Sequence, residues 1–155
     1  MNTFRWIRQL AACAAATVLV LTPAAAAQAT GPIEFRSEMN HKCLEIYAFN
    51  AANKAKVVTW DCWGGANQKW YWDGEFIRNT MNHKCLEIYA FNGGNGADVV
   101  MWDCWGGANQ KWYRNGTEIR SRLNNKCLEI YGFNGANGAK VVTWDCWGGA
   151  NQKWY

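Results

Sequence analysis

The chain has 155 residues with 16 Lys and Arg against 12 Asp and Glu, a formal charge of +4. That balance is too weak and too mixed for a nucleic-acid binder, which needs a dense basic face, so no nucleic-acid partner is expected. Eleven Trp, 15 Gly and 7 Cys point instead to a chain rich in aromatics, turns and cross-links, with Trp far above ordinary usage.

The first 29 residues do not read as folded structure. Arg5 and Arg8 precede an apolar run from Leu10 to Leu21, then Pro23 and an Ala-rich exit. This is the layout of a secretory signal, with cleavage expected at about residues 27–29. The run is too short for a membrane span, and no later stretch comes close, so no membrane insertion is expected. Leu10-Ala11-Ala12-Cys13 resembles a lipoprotein processing site but precedes the apolar run, out of register for that chemistry. The expected location is secreted and extracellular. Without Arg5 and Arg8 the rest of the chain carries a formal charge of about +2, and by length it is one domain.

Residues 30–155 divide without insertion into three 42-residue units, 30–71, 72–113 and 114–155. K-C-L-E-I-Y recurs at Lys42, Lys84 and Lys126, and W-D-C-W-G-G-A-N-Q-K-W-Y at Trp60, Trp102 and Trp144. Within the second unit the pattern predicts strands at Glu75 to Asn79, Cys85 to Tyr89, Asp98 to Asp103 and Gln110 to Tyr113. Asn82-His83, Asn92 to Gly96 and Gly106 to Asn109 supply the turns between them. No stretch holds a helical apolar period. Four strands per unit in three units is an all-β chain of twelve. An open solenoid would need polar end caps, whereas the terminal units are as apolar as the middle one. Closure removes exposed edges, and a β-trefoil with three-fold symmetry fits units of this size.

Six cysteines follow the leader, an even number in a chain expected to be secreted, so disulfides are the expected state. Six allow fifteen pairings. The repeat favours one bridge per unit: Cys43–Cys62, Cys85–Cys104 and Cys127–Cys146. Each closes a loop of about 20 residues, which loop entropy values at roughly 3 kcal/mol. Metal binding is not expected: there is no CxxC spacing, and His41 and His83 give way to Asn125 in the third unit. No paired base serves a catalytic thiol. No cofactor is expected.

C-L-E at the first cysteine, W-D-C seventeen to nineteen residues on and N-Q-K-W after it resemble the ricin-type (QxW) β-trefoil lectins and carbohydrate-binding modules. The likeness spans all three units and implies up to three shallow sugar sites, with glycans as partners. By that resemblance the hydroxyl-accepting carboxylate falls on Glu45, Glu87 and Glu129. The aromatic platform falls on Trp60, Trp102 and Trp144, and the amide completing the contacts on Asn67, Asn109 and Asn151. The residue types suit a pyranose: a flat ring covers its C–H patch, while carboxylate and amide take hydroxyls that lose water. Three weak sites on one chain gain strength by avidity, and a monomer suffices. The family's usual Asp is Glu here, and its frequent Gln four places before the second cysteine is Val58, Val100 or Val142. A galactose preference is therefore not assumed.

The rest of the signature reads as structural. Trp70, Trp112 and Trp154 belong in the core, and Gln68, Gln110 and Gln152 satisfy buried backbone groups. Thr59, Met101 and Thr143 have the opposite strand parity from the platform Trp and point inward. Trp63, Trp105 and Trp147, beside Gly-Gly, either extend the site or cover the disulfide. Tyr47, Tyr89 and Tyr131 flank the pocket or pack beneath it, and Asp61, Asp103 and Asp145 anchor loops. Asn115-Gly116-Thr117 is a glycosylation sequon that matters only in a eukaryotic host. Lys54 and Lys56 are expected to put positive charge beside the first site, and Asp98 negative charge beside the second.

The expected function is a non-catalytic lectin for cell-surface or plant-wall glycans. A trefoil protein-interaction module such as a protease inhibitor is the alternative, disfavoured because inhibitors concentrate specificity on one divergent loop. A glycosidase is not expected, since the three repeats occupy all of residues 30–155 and a shallow pocket does not enclose an acid pair.

Overall fold

The computed structural model describes residues 31–155; the expected leader lies outside the described residues. Ten strands are formed: β1 (Cys43–Ile46), β2 (Ala55–Trp60), β3 (Trp70–Asp73), β4 (Phe76–Asn79), β5 (Cys85–Ile88), β6 (Ala97–Trp102), β7 (Trp112–Asn115), β8 (Glu118–Ser121), β9 (Cys127–Ile130) and β10 (Ala139–Trp144). The first and last of the twelve expected positions are isolated bridges, Ile33 with Trp70 and Ser37 with Trp154. Arg36 and Tyr155 exchange two backbone hydrogen bonds of 2.9 Å, which ties the start of the described chain to its end.

Each unit is built on one antiparallel hairpin, β1–β2, β5–β6 or β9–β10, in identical register: Glu45 faces Val58, Glu87 faces Val100 and Glu129 faces Val142. Because side chains alternate across a strand, Leu44, Ile46, Ala55 and Val57 enter the core while Glu45, Val58 and Trp60 share the other face. The three inner strands meet one another: Ala55 pairs with Met101, Ala139 with Thr59 and Val142 with Asp98. Thr59, Met101 and Thr143 are fully buried there. The β3–β4 and β7–β8 hairpins link consecutive units.

The strand bounds differ from expectation in the last quarter of the unit. Ala108–Gln110 forms a single 3-10 turn and the strand starts at Trp112. The Gly107 carbonyl accepts from Gln110 N at 3.0 Å, curling the chain before it can pair. Tyr89–Phe91 is also a 3-10 turn, with Ala90 at φ 53 and Phe91 at φ 54. Phe49 and Phe133 share that left-handed backbone, an uncommon state for a bulky residue.

The core is three-fold. Trp70, Trp112 and Trp154 are at most 1 % exposed, and their indole N–H groups donate to Leu44, Leu86 and Leu128 carbonyls at 2.9, 2.9 and 3.0 Å. Disulfides join Cys43–Cys62, Cys85–Cys104 and Cys127–Cys146, one per unit as the repeat favours.

Polar clasps hold unit to unit. Lys42 donates to Asp61 within the first unit and, at 2.7 Å, to Asn137 of the third. Asn137 in turn donates to Asp61 at 2.8 Å. Lys84, Asp103 and Asn53 repeat the arrangement between units one and two, and Lys126, Asp145 and Asn95 between two and three. The Lys hydrogen bond, then the Asn one, lowers each Asp below its ordinary value. The Asp residues thus anchor loops, as their sequence position suggests.

Candidate functional site

Each unit carries the same outward face, built on the hairpin and the loop that follows it. Glu45 stands on β1 opposite Val58, which is 6 % exposed, so its immediate cross-strand neighbour is apolar. The Glu45 side chain is itself 5 % exposed. Its Oε2 accepts from Gln68 Nε2 at 2.7 Å and from the Trp63 indole N–H at 3.1 Å. Glu87 and Glu129 repeat both contacts with Gln110 and Trp105, and with Gln152 and Trp147.

Gln68 is the bracket of this face. Its Oε1 accepts from the backbone N–H groups of Trp63 and Gly64 at 2.9 and 3.3 Å, and its Nε2 also donates to the Asp61 carbonyl at 2.9 Å. A fully buried amide thereby holds the Trp63 loop against β1.

Trp63 lies folded over Gly65. A Cβ on Gly65 would meet the indole at 2.0 Å, and one on Gly107 or Gly149 would meet Trp105 or Trp147 at 2.2 and 2.1 Å. Gly65 has φ −65 and ψ 157, a backbone open to any residue, so space alone demands glycine there. The indole is nonetheless 54 % exposed and leans on Phe49, ring centres 5.4 Å apart. Trp63 therefore covers the carboxylate rather than the disulfide alone.

The expected triad is only partly assembled. Trp60 shares the hairpin face with Glu45 but is partly buried beside Tyr47, ring centres 6.2 Å apart. Across the unit boundary, a Cβ on Gly138 would lie 3.6 Å from its ring. Asn67 does not reach the surface: it is fully buried, and its Nδ2 donates to the Ile46 carbonyl at 3.1 Å. Its Oδ1, like those of Asn109 and Asn151, is buried without a hydrogen-bond partner. The exposed aromatics of the first unit's face are Tyr47, Phe49 and Trp63, each about half exposed. Phe49 was not singled out by the sequence reading, although the same Phe recurs in all three units while the residue before it varies between Ala and Gly.

One charge expectation needs correction. Lys54 does not sit beside the first face: its Nζ lies 4.5 Å from the centre of the Tyr89 ring in the second unit. The cause is interleaving, since the turn before each inner strand packs on the next unit's aromatics. Asp98 lines a small cleft with Tyr89 and Asn92, and pairs with Lys140 at 2.5 Å.

His41 and His83 occupy turns with φ 60 and 56, and their Nδ1 atoms lie 3.0 and 3.1 Å from Tyr155 and Tyr71 hydroxyls. Asn125 takes the same turn with φ 60 and accepts from Tyr113 at 3.2 Å. His and Asn thus do one structural job. Glu34 and Glu118 approach the Cys43–Cys62 and Cys127–Cys146 pairs, but those sulfurs are consumed in disulfides and offer no thiolate.

The family model for the ricin-type β-trefoil lectin domain matches residues 29–154. The chain belongs to this family. Among solved structures it is similar to the C-half of an earthworm R-type lectin in complex with GalNAc, at 27 % identity and a TM-score of 0.69. The likeness covers 81 % of this chain and 96 % of that one. A designed three-fold symmetric protein, ThreeFoil, shares the fold at 24 % identity and a TM-score of 0.73, over 78 % of this chain and 94 % of the other. The exo-β-1,3-galactanase of Clostridium thermocellum contains the same fold at 24 % identity and a TM-score of 0.74. There the match covers 82 % of this chain and 30 % of that enzyme.

Proposed function

We propose that the protein is a secreted, non-catalytic lectin whose three repeated faces each take a sugar beneath the Trp63-type indole. The observation that carries this reading is a pair of buried acceptors under a half-exposed indole, found three times. A buried amide oxygen without a partner costs about 1–3 kcal/mol, and Asn67, Asn109 and Asn151 each hold one. Beside it the Glu45-type carboxylate uses one oxygen for Gln68 and for Trp63.

Sugar hydroxyls are the partners such acceptors lack. When the indole swings off Gly65, a hydroxyl replaces its N–H at the carboxylate and a second reaches the amide oxygen. The displaced ring, with Phe49 and Tyr47, then offers apolar surface to the sugar's C–H face. Trp60 backs this wall. Cross-strand Val58, and Glu in place of the family's Asp, narrow the polar part of the pocket, so galactose is not the presumed ligand. Complex formation with GalNAc by the earthworm relative supports sugars as the ligand class. Three faces on one chain supply avidity without oligomerisation. Three disulfides support an oxidising, extracellular setting.

A glycan array probed with the oxidised protein checks the reading. Binding to a restricted set of glycans is expected, stronger on dense than on sparse presentation. Absence of binding to any immobilised glycan rejects it.

A further inference from the structure

The units are near-copies except where they begin. Residues 30–38, 72–80 and 114–122 read T-G-P-I-E-F-R-S-E, W-D-G-E-F-I-R-N-T and R-N-G-T-E-I-R-S-R, and share only Arg36, Arg78 and Arg120 in register. A cavity of about 610 Å³ lies between the β3–β4 and β7–β8 hairpins and draws most of its lining from these divergent segments. It therefore has no three-fold copies, unlike the faces described above.

Its chemistry is cationic and aromatic. Arg114 donates through Nη1 to the Trp154 carbonyl at 2.9 Å, and its guanidinium carbon lies 5.4 Å from the Phe35 ring centre. Among the described residues no carboxylate pairs with Arg114. Glu75 alone balances two other cations, with Arg122 Nε at 2.9 Å and Lys111 Nζ at 3.7 Å. Arg122 also covers the Tyr113 ring, 4.3 Å from its centre. Tyr71, Trp72 and Tyr113 wall the cavity.

We propose that this cavity is a single acidic-sugar site, one per chain, in which Arg114 takes the carboxylate of a uronic acid and the aromatic wall takes its pyranose ring. A guanidinium is a planar fork suited to a carboxylate, and an aromatic ring suits the C–H face of a pyranose. Glu75, already inside the lining, repels a second negative charge and so favours a monoanion over a dianionic phosphate. The site does not rest on the repeated faces.

Calorimetric titration with D-galacturonic acid, D-galactose and sodium sulfate tests it. Galacturonic acid is expected to bind one per chain in the millimolar range, weakening about tenfold for Arg114→Gln, several-fold for Arg114→Lys, and also in about 0.5 M salt. The variant with Glu45, Glu87 and Glu129 all changed to Gln is expected to keep it. Three ions of galacturonic acid per chain, equal binding of sulfate, no loss in a folded Arg114→Gln protein, or no binding at roughly 10 mM each overturns the proposal. If either Arg114 variant fails to fold, the other decides between the same outcomes, and the salt dependence is read on the unmodified protein.

Discussion

Changing Glu45, Glu87 and Glu129 together to Gln is expected to abolish detectable glycan capture while leaving the fold intact. The substitution is chosen for what it keeps. A Gln carbonyl oxygen can still accept from the Gln68 amide and the Trp63 indole N–H, which hold the present carboxylate at 2.7 and 3.1 Å. It removes the charge, and hydrogen bonds to a charged acceptor are worth about 1.5–3 kcal/mol against roughly 1 for neutral pairs. Affinity at one site for a free sugar should therefore fall about 2- to 30-fold. Binding to a dense glycan surface multiplies the loss across three sites and should disappear. The melting temperature should move by only a few degrees. If capture survives in a folded triple variant, the carboxylates are structural and the sites lie elsewhere.

The largest stability effect is expected at a core tryptophan of the second unit. Trp112 is 1 % exposed, donates to the Leu86 carbonyl at 2.9 Å, and its backbone N–H bonds Glu75 O at 2.8 Å. Trp112→Ala leaves a large cavity and an orphaned carbonyl, costing about 3–5 kcal/mol of a total that for a domain is about 5–15. Trp105, seven residues earlier and 54 % exposed, should cost under about 1 kcal/mol as Ala. Denaturant unfolding of the two variants under oxidising conditions separates them. Equal losses would mean that Trp105 is a packed strut and not a movable cover.

Why one tryptophan was readable and the other was not is a matter of range. Trp112 sits at a fixed step after Gln110 in a recurring signature, whose resemblance marked it as a core residue. The period of 42 favoured one bridge per unit, and the disulfides follow it. The carboxylate positions came from the resemblance, and the period repeats them in all three units. What escaped was decided by contacts the chain makes with itself at a distance. Asn67 was expected at the site only through the resemblance, yet its amide donates to the Ile46 carbonyl. The cover of Trp63 depends on an absent Cβ two residues on, and only the Gly65–indole distance reveals that the glycine is a seat. Lys54 appeared to belong to its own unit, but interleaving carries it over Tyr89 of the next. A repeat shows what recurs within a unit; it is silent on where one unit leans on another. The divergent openings of the units were visible as letters, and the cavity they share appears only once two hairpins are placed side by side.

The account turns on the indole of Trp63, Trp105 and Trp147 being the cover a sugar displaces. The most direct measurement is the indole N–H region of a nitrogen-15 NMR spectrum, followed while the tightest monosaccharide from the array is added. The account predicts that the Trp63, Trp105 and Trp147 signals move together as their bonds to the carboxylates are exchanged for sugar hydroxyls, while Trp70, Trp112 and Trp154 stay fixed. Saturation with those three signals unmoved would contradict it.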